Sequence, residues 1–198
     1  MSHSDGPFLD PTRSRVAVPS LARRVRVAKQ RDIHCASGLY ALVTAARRLG
    51  TMPPRAGAPT LLANLEPGAR VGIESRLPGA TFREKDLRAM ARAAGLETYR
   101  PNTHEVEQFR EPNWLWIVLV MVRFAPPTGG EGRVGKHYVI VVDHVPGDLA
   151  LVVADPHPWN PPVYCVDEPE FEAAWRAAKT KGPAWAAALF PVSREVRV

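Results

Sequence analysis

The chain has 198 residues, 45% of them hydrophobic, enough to bury the core of one domain, or of one domain with extensions. Its net charge of +6 is carried mainly by arginines spread along the chain, and no block alternates basic with stacking aromatic residues, so a nucleic-acid-binding pattern is excluded. No apolar run reaches the roughly 18 residues of a transmembrane helix, and the opening Met1-Ser2-His3-Ser4-Asp5-Gly6-Pro7 lacks a charged-then-apolar signal, so no membrane insertion is expected. The expectation is a cytoplasmic protein, or one exported without a classical signal peptide.

Residues 1–12 are polar, with Gly6, Pro7 and Pro11, and read as a flexible N-terminal arm ahead of a single domain at 13–198. Residues 13–29 carry Arg13, Arg15, Arg23, Arg24, Arg26 and Lys29. The alternation of Val16 with Val18 and of Val25 with Val27 predicts one or two short strands with a basic, solvated edge. From Leu39 an amphipathic helix is predicted, because Leu39, Leu42, Val43, Ala46 and Leu49 recur at three- and four-residue steps. Gly50 and Pro53-Pro54 stop it. Asp32 stands where a helix cap is expected, which puts Cys35 in or near the first turn. Unpaired backbone N–H groups and the helix dipole favour a thiolate there. A small buried, inert cysteine is the other reading of that position.

Residues 51–80, rich in proline and glycine, read as a loop or insertion with a short helical turn at Leu61–Leu65. Thr81 and Glu84 make a capping box for a helix over Thr81–Ala94, ended by Gly95. Leu96–Tyr99 reads as a short strand and His104–Phe109 as a helical turn. Trp114–Val122 is an apolar run of central-strand length, and Ala125–Gly135 a glycine- and proline-rich loop. His137–Asp143 and Leu149–Val153 form a hairpin about Pro146-Gly147-Asp148. A strand at Val163–Val166, a helix over Pro169–Ala178 and an apolar stretch at Ala184–Phe190 close the chain. Helices come early and strands late, so the class is α+β, a helix packed on an antiparallel sheet.

A cysteine nucleophile needs a base, and the base an orienting group. The hairpin brings His137 and Asp155 to one end of the sheet, so the carboxylate can accept from one imidazole nitrogen and leave the other for Cys35. Gln30, five residues before Cys35, can donate its side-chain amide toward a developing oxyanion. His34, His144 and His157 compete for the role of base, but none begins a strand in register with a downstream aspartate. Zinc is the other use for such residues, but His34, Cys35, His137, Asp155, His157 and Cys165 lack a recognised ligand spacing. Cys35 and Cys165 allow one disulfide and no framework.

Four segments carry a resemblance. Gln30-x4-Cys35 before a helix, Gly135-Lys136-His137 opening an apolar strand, Val152-Val153-Ala154-Asp155-Pro156, and the closing Glu168-Pro169-Glu170-Phe171 to Trp175 together resemble the papain-like bacteriocin-processing peptidases. These are the double-glycine leader peptidases and their stand-alone bacterial relatives. The resemblance spans about residues 25–190. It implies a papain-like fold and a cysteine (thiol) peptidase, a hydrolase for peptide processing. In its terms Cys35 is the nucleophile, His137 the base, Asp155 the orienting residue and Gln30 the oxyanion donor. The substrate is a peptide or protein cut after small residues, often Gly-Gly, with no metal or organic cofactor. Two departures are His34 and Ala36 around the cysteine, where the family often has an acidic residue and glycine. A third is the long Cys35-to-His137 separation, which residues 51–80 account for. No transporter domain follows within these residues, so coupled export is not part of the expectation. The same four residues would also serve a papain-like acyltransferase, a deamidase or transglutaminase-type toxin or effector. A non-catalytic peptide-binding module is the remaining alternative. Oligomeric state is not legible from the sequence.

Overall fold

The structure is a computed structural model. It describes residues 7–14, 16–20, 22–30, 36–75, 77, 82–100, 105–111, 114–124, 126, 128, 132–179 and 185–192. Its helices are α1 (Ser37–Arg48), α2 (Ala58–Ala63), α3 (Pro67–Glu74), α4 (Glu84–Ala93) and α5 (Glu168–Ala177). Its strands are β1 (Leu96–Tyr99), β2 (Leu115–Phe124), β3 (Arg133–Val145), β4 (Ala150–Ala154), β5 (Val163–Asp167) and β6 (Ala186–Pro191). All six pair antiparallel in one sheet of order β1-β6-β2-β3-β4-β5, so the α+β expectation holds. No helix among the described residues is long and apolar enough to cross a membrane.

Both faces of the sheet are covered, which is why β2 reads as an unbroken apolar run rather than an alternation. Leu115 and Ile117 of β2 and Tyr138 and Ile140 of β3 face one core, with Leu39, Leu42 and Val43 of α1 and Leu87 and Met90 of α4. Trp116, Val118 and Val120 of β2 and Val139 and Val141 of β3 face the other, with Phe171, Ala174 and Trp175 of α5. Phe109 stands edge-on to Trp116, Phe171 and Trp175, at 5.3, 5.4 and 5.0 Å between ring centres. Glu168, in the first turn of α5, joins that layer to the 3-10 turn at Val106–Arg110. Its carboxylate accepts from the Arg110 guanidinium, and His144 Nε2 lies 3.0 Å from Glu168 Oε1.

The predicted apolar face of α1 is buried, but so is nearly everything from Ser37 to Ala46, because the sheet, α2, α4 and the earlier residues Val25 and Ala28 enclose it. Gly50 and Gly95 end α1 and α4 with φ of 74°, the left-handed conformation that glycine takes without strain. The Thr51 hydroxyl lies between the two helix ends and donates to Ala94 O at 2.7 Å.

Several expectations are corrected. Residues 7–12 do not hang free as an arm: Leu9 is fully buried and bridges β2, donating to Met121 O at 2.8 Å and accepting from Arg123 N–H at 2.9 Å. Residues 13–29 form no strand among their described members, only 3-10 turns at Pro11–Arg13 and Ala22–Arg24; the Cys165 N–H on the outer edge of β5 meets the Ser14 hydroxyl there rather than a strand. The stretch 51–80 holds two helices rather than one turn. Pro59 and Pro67 sit at their starts, where a missing N–H costs nothing, and Leu61 and Ile73 are drawn into the core. The cap of α4 is built two residues later than expected, with the Asp86 carboxylate accepting from Arg83 N–H at 3.0 Å; Thr81 lies outside the described residues. The residue at the N-cap of α1 is Ala36, with no side-chain bond; Asp32 lies outside the described residues.

Candidate active site

The hairpin sets up the first pair of side chains. Ile140 pairs with Ala154 at the end of the β3–β4 ladder. Continuing that register by one residue sets Asp155 opposite Val139, which makes His137 its diagonal neighbour on the same face. His137 Nε2 and Asp155 Oδ1 are 2.6 Å apart, and the two residues are 3% and 0% exposed. The sequence leads one to expect His137 at the opening of its strand, and it is not there. It is the fifth residue of β3, opposite Val120, because the ladder with β2 extends back to Arg133.

Asp155 is saturated with donors. Oδ1 also accepts from the His157 N–H at 2.7 Å, and Oδ2 accepts from Asn160 Nδ2 at 2.8 Å and from the Tyr164 hydroxyl at 3.2 Å. Burial alone would push this carboxyl up. The charge of His137 and the hydrogen bonds from His137, Asn160 and the His157 N–H outweigh burial and hold it below the usual carboxylate range. Burial, with the Asp155 charge, pushes the Tyr164 hydroxyl far up, so tyrosine stays a neutral donor. The result is a carboxylate that is ionised, immobile and turned to one imidazole nitrogen.

Aromatic rings hold that imidazole. Phe124, at the end of β2, is 5.3 Å from the His137 ring and 4.4 Å from His157, and His157 is 5.7 Å from His137. Burial, and next the His137 charge, bring His157 down to about 4, so near neutrality it is an uncharged ring. Its Nδ1 accepts from Trp159 N–H at 3.2 Å. His157 thus supports the carboxylate through its backbone and is no rival base. His144 sits at the other end of the hairpin, opposite Leu151 and beside Glu168.

Residues 28–30 are tied to α1 on one side and to the end of this hairpin on the other. Ala28 N–H donates to the Thr44 hydroxyl of α1 at 2.9 Å. Gln30 N–H donates to Pro156 O at 2.9 Å, next to Asp155. Past the end of β4, on the edge of β3 that β2 does not occupy, Tyr138 N–H donates to the Ser37 hydroxyl at 3.1 Å. Gly38 lets α1 come this close: a Cβ there would lie 2.9 Å from Leu87 Cδ2 and 3.1 Å from Tyr138 Cδ2. Gln30 is 3% exposed, and its Oε1 has no hydrogen-bond partner among the described residues. Cys35 and His34 lie outside the described residues. Cys165 is buried in β5, where its N–H donates to the Ser14 hydroxyl at 3.3 Å and burial raises its thiol.

Three parts of this arrangement carry no mark in the sequence. Asn160 and Tyr164 reach Asp155 from a loop and a strand whose residues look ordinary. Lys29, read as one of six basic residues on a solvated edge, instead points its ammonium at the carbonyls of Asp155, His157 and Asn160. Among the described residues no three His, Cys, Asp or Glu side chains are grouped to hold a metal ion.

No protein-family profile matches the sequence, and no curated protein does. Solved structures do. The peptidase domain of Streptococcus ComA, a bi-functional ABC transporter involved in a quorum-sensing pathway, superposes with a TM-score of 0.53 at 18% identity, covering 84% of this chain and 97% of that one. The chain has the fold of the ComA peptidase domain. The peptidase domain of Streptococcus mutans ComA gives 0.45 at 15% identity over 83% and 96%. A double-glycine motif protease from an AMS/PCAT transporter, in complex with its leader peptide, gives 0.47 at 16% over 84% and 90%. The ComA-like frame is an antiparallel sheet with helices on both faces.

Proposed function

We propose that the protein is a cysteine peptidase acting on a peptide or protein substrate, with Cys35 as nucleophile, His137 as base, Asp155 as orienting group and Gln30 as oxyanion donor. The observation that carries this reading is the buried 2.6 Å bond from His137 Nε2 to a carboxylate that accepts from three further donors. With Nε2 committed, Nδ1 is the nitrogen left to exchange a proton with a thiol. Ser37, two residues after Cys35, is bonded to the residue after His137, and Gln30 is bonded to the residue after Asp155. Both ends of the cysteine segment are therefore anchored beside the pair. The ComA-like fold is in keeping with this reading.

In the reaction, Nδ1 takes the thiol proton and the Cys35 sulfur attacks the peptide carbonyl. Negative charge gathers on the carbonyl oxygen, where the Gln30 amide donates. The tetrahedral adduct collapses as imidazolium returns the proton to the leaving amine, which gives a thioester. Water, deprotonated by His137, then attacks the thioester, and the acid and the thiol are regenerated. Asp155 stays ionised throughout and stabilises the imidazolium. Every group needed is a side chain, so the mechanism uses no cofactor.

The test is a set of peptides with small residues, Gly-Gly among them, ahead of the cleavage point, followed by mass spectrometry. Cleavage is expected, with a trapped acyl adduct on the peptide containing Cys35 and none in Cys35→Ala. Iodoacetamide near pH 6.5 should label Cys35 ahead of Cys165, whose thiol is buried and raised. Preferential labelling of Cys165, or cleavage retained by Cys35→Ala, would overturn the assignment.

A further inference from the structure

We propose that Lys29 is a positioning residue whose ammonium group, seated among three backbone carbonyls, fixes the loop that carries Asp155 and so holds the carboxylate against His137. The kinetic part of this inference rests on the peptidase reading; the structural part does not.

Lys29 Nζ donates to Asp155 O at 3.2 Å, His157 O at 2.6 Å and Asn160 O at 2.8 Å. An ammonium has three N–H donors and no acceptor, so these three contacts use it completely. The loop needs them. Pro156, Pro158, Pro161 and Pro162 have no N–H and make no ladder, while Asp155, His157 and Asn160 are all buried. Carbonyls enclosed there without donors would be left unpaired. The neighbouring Gln30 N–H takes a fourth, Pro156 O. Residues 29 and 30 together therefore supply four donors to one short loop.

The same loop supplies two of the four groups that hold the Asp155 carboxylate, His157 N–H and Asn160 Nδ2. A loop that relaxes takes both with it, and the remaining partners are His137 and Tyr164. Ala28, one residue before Lys29, is bonded to Thr44 of α1. The ammonium thus joins the helix that follows Cys35 to the carboxylate that orients His137. Burial pulls the lysine down, with the Asp155 charge working against it. A residue present only to fill space would not require a half-buried charge there. Arginine is no substitute, because its planar fork cannot direct three donors from one atom.

The test removes the ammonium and returns it. In Lys29→Ala prepared on a Cys35→Ala background, NMR reads the low-field proton between His137 Nε2 and Asp155, and hydrogen exchange reads the His157 amide. The low-field signal should be lost and the amide should exchange at least about tenfold faster, in line with the loss of a hydrogen bond from a charged group. Propylammonium, which replaces the missing carbons and ammonium, should restore both. Tetramethylammonium, a cation without N–H donors, should restore neither. With Cys35 in place, Lys29→Ala should lower kcat by about 10- to 100-fold with little change in KM, and propylammonium should raise it again. An unchanged low-field proton and amide in Lys29→Ala would overturn the proposal, as would equal rescue by tetramethylammonium. If the variant does not fold, the Lys29 Nζ protons are read in the unaltered protein. Slow exchange supports the proposal, and exchange at the rate of a free lysine overturns it. A protein that shows these NMR responses but cleaves no peptide keeps the positioning role and discards the peptidase reading.

Discussion

The Ser37 hydroxyl accepts the backbone N–H of Tyr138 at 3.1 Å, and that bond joins the residue two after Cys35 to the residue next to His137. Both partners are buried, so its loss leaves an enclosed N–H without an acceptor. Ser37→Ala is expected to cost about 1–3 kcal/mol of stability, the range for orphaning a buried donor. Urea denaturation checks it. The proposed site adds a second expectation: thiol alkylation of Cys35 should slow more than the stability loss accounts for, because the start of α1 is no longer held to β3. Stability unchanged within error would mean that water replaces the hydroxyl and that the tether is incidental.

Stability should fall as pH drops from about 6.5 to about 4, and His157 is the reason. Its folded value is pulled down to about 4 from an ordinary 6.5 by burial, and then by the charge of His137, with Lys29 adding to the effect and Asp155 opposing it. A depressed value means that the unfolded chain takes a proton in that window and the folded one does not. The contribution is thus complete above 6.5 and is lost as pH falls toward 4, at no more than about 1.4 kcal/mol per pH unit. Asp155 is also depressed, but it acts lower, as pH falls below 3.8. His157→Asn keeps the backbone N–H for Asp155 and offers Oδ1 to Trp159 N–H as an Asx-turn does. It should be less stable at pH 7, having lost the ring packed on Phe124, yet show a flatter profile between 6.5 and 4. Urea midpoints across that range decide it; a wild-type profile flat over that window would count against a buried neutral imidazole.

The frame was legible from the sequence and its stitching was not. β2, the β3–β4 hairpin and the apolar face of α1 could be read because burial on both sides of a sheet, or on one side of a helix, selects residue types at fixed periods. The pairing of His137 with Asp155 followed from the same hairpin arithmetic. Lys29 could not be read, because its partners are carbonyls more than 120 positions away and a carbonyl has no residue identity. Asn160 and Tyr164 were missed for a similar reason: a loop and a strand crossing bring them to Asp155, with no local pattern. In residues 51–80 a run of prolines reads as loop, but at the first turn of a helix, where Pro59 and Pro67 stand, proline is a starter, and the buried Leu61 and Ile73 are the better signal.

Asp155→Asn should be worse than a loss of orientation. An aspartate accepts here from four donors at two oxygens. An asparagine keeps one of those oxygens and turns an NH2 group toward donors, so two partners face a donor. Stability should fall by about 1–3 kcal/mol for the groups left unpaired. If the protein is a peptidase, kcat should fall on the order of 10⁴-fold, by analogy with the same exchange in a serine triad, where the imidazole takes the wrong tautomer. Steady-state kinetics with a denaturation curve separates the two effects. Full turnover with lowered stability would leave Asp155 as a structural hub and move the orienting role elsewhere.

Gln30 offers the sharpest separation of catalysis from thiol reactivity. It is not an exposed polar residue on an entry strand: it is 3% exposed, and its backbone N–H is bonded to Pro156 O. A side-chain oxygen with no partner among the described residues is unusual for a buried amide and costs stability unless the group is needed for something else. Small alkylating reagents need only the thiolate, whereas acyl transfer needs a donor for the charge that develops on the carbonyl oxygen. Gln30→Ala should therefore lower kcat roughly a hundredfold or more, a loss of about 3 kcal/mol in the transition state, with KM nearly unchanged. Iodoacetamide labelling of Cys35 should proceed at close to the wild-type rate. Gln30→Glu removes the donor and keeps the shape, so it should be as slow as Gln30→Ala above the carboxyl pKa. Cleavage by Gln30→Ala at the wild-type rate would show that oxyanion stabilisation comes from backbone N–H groups alone.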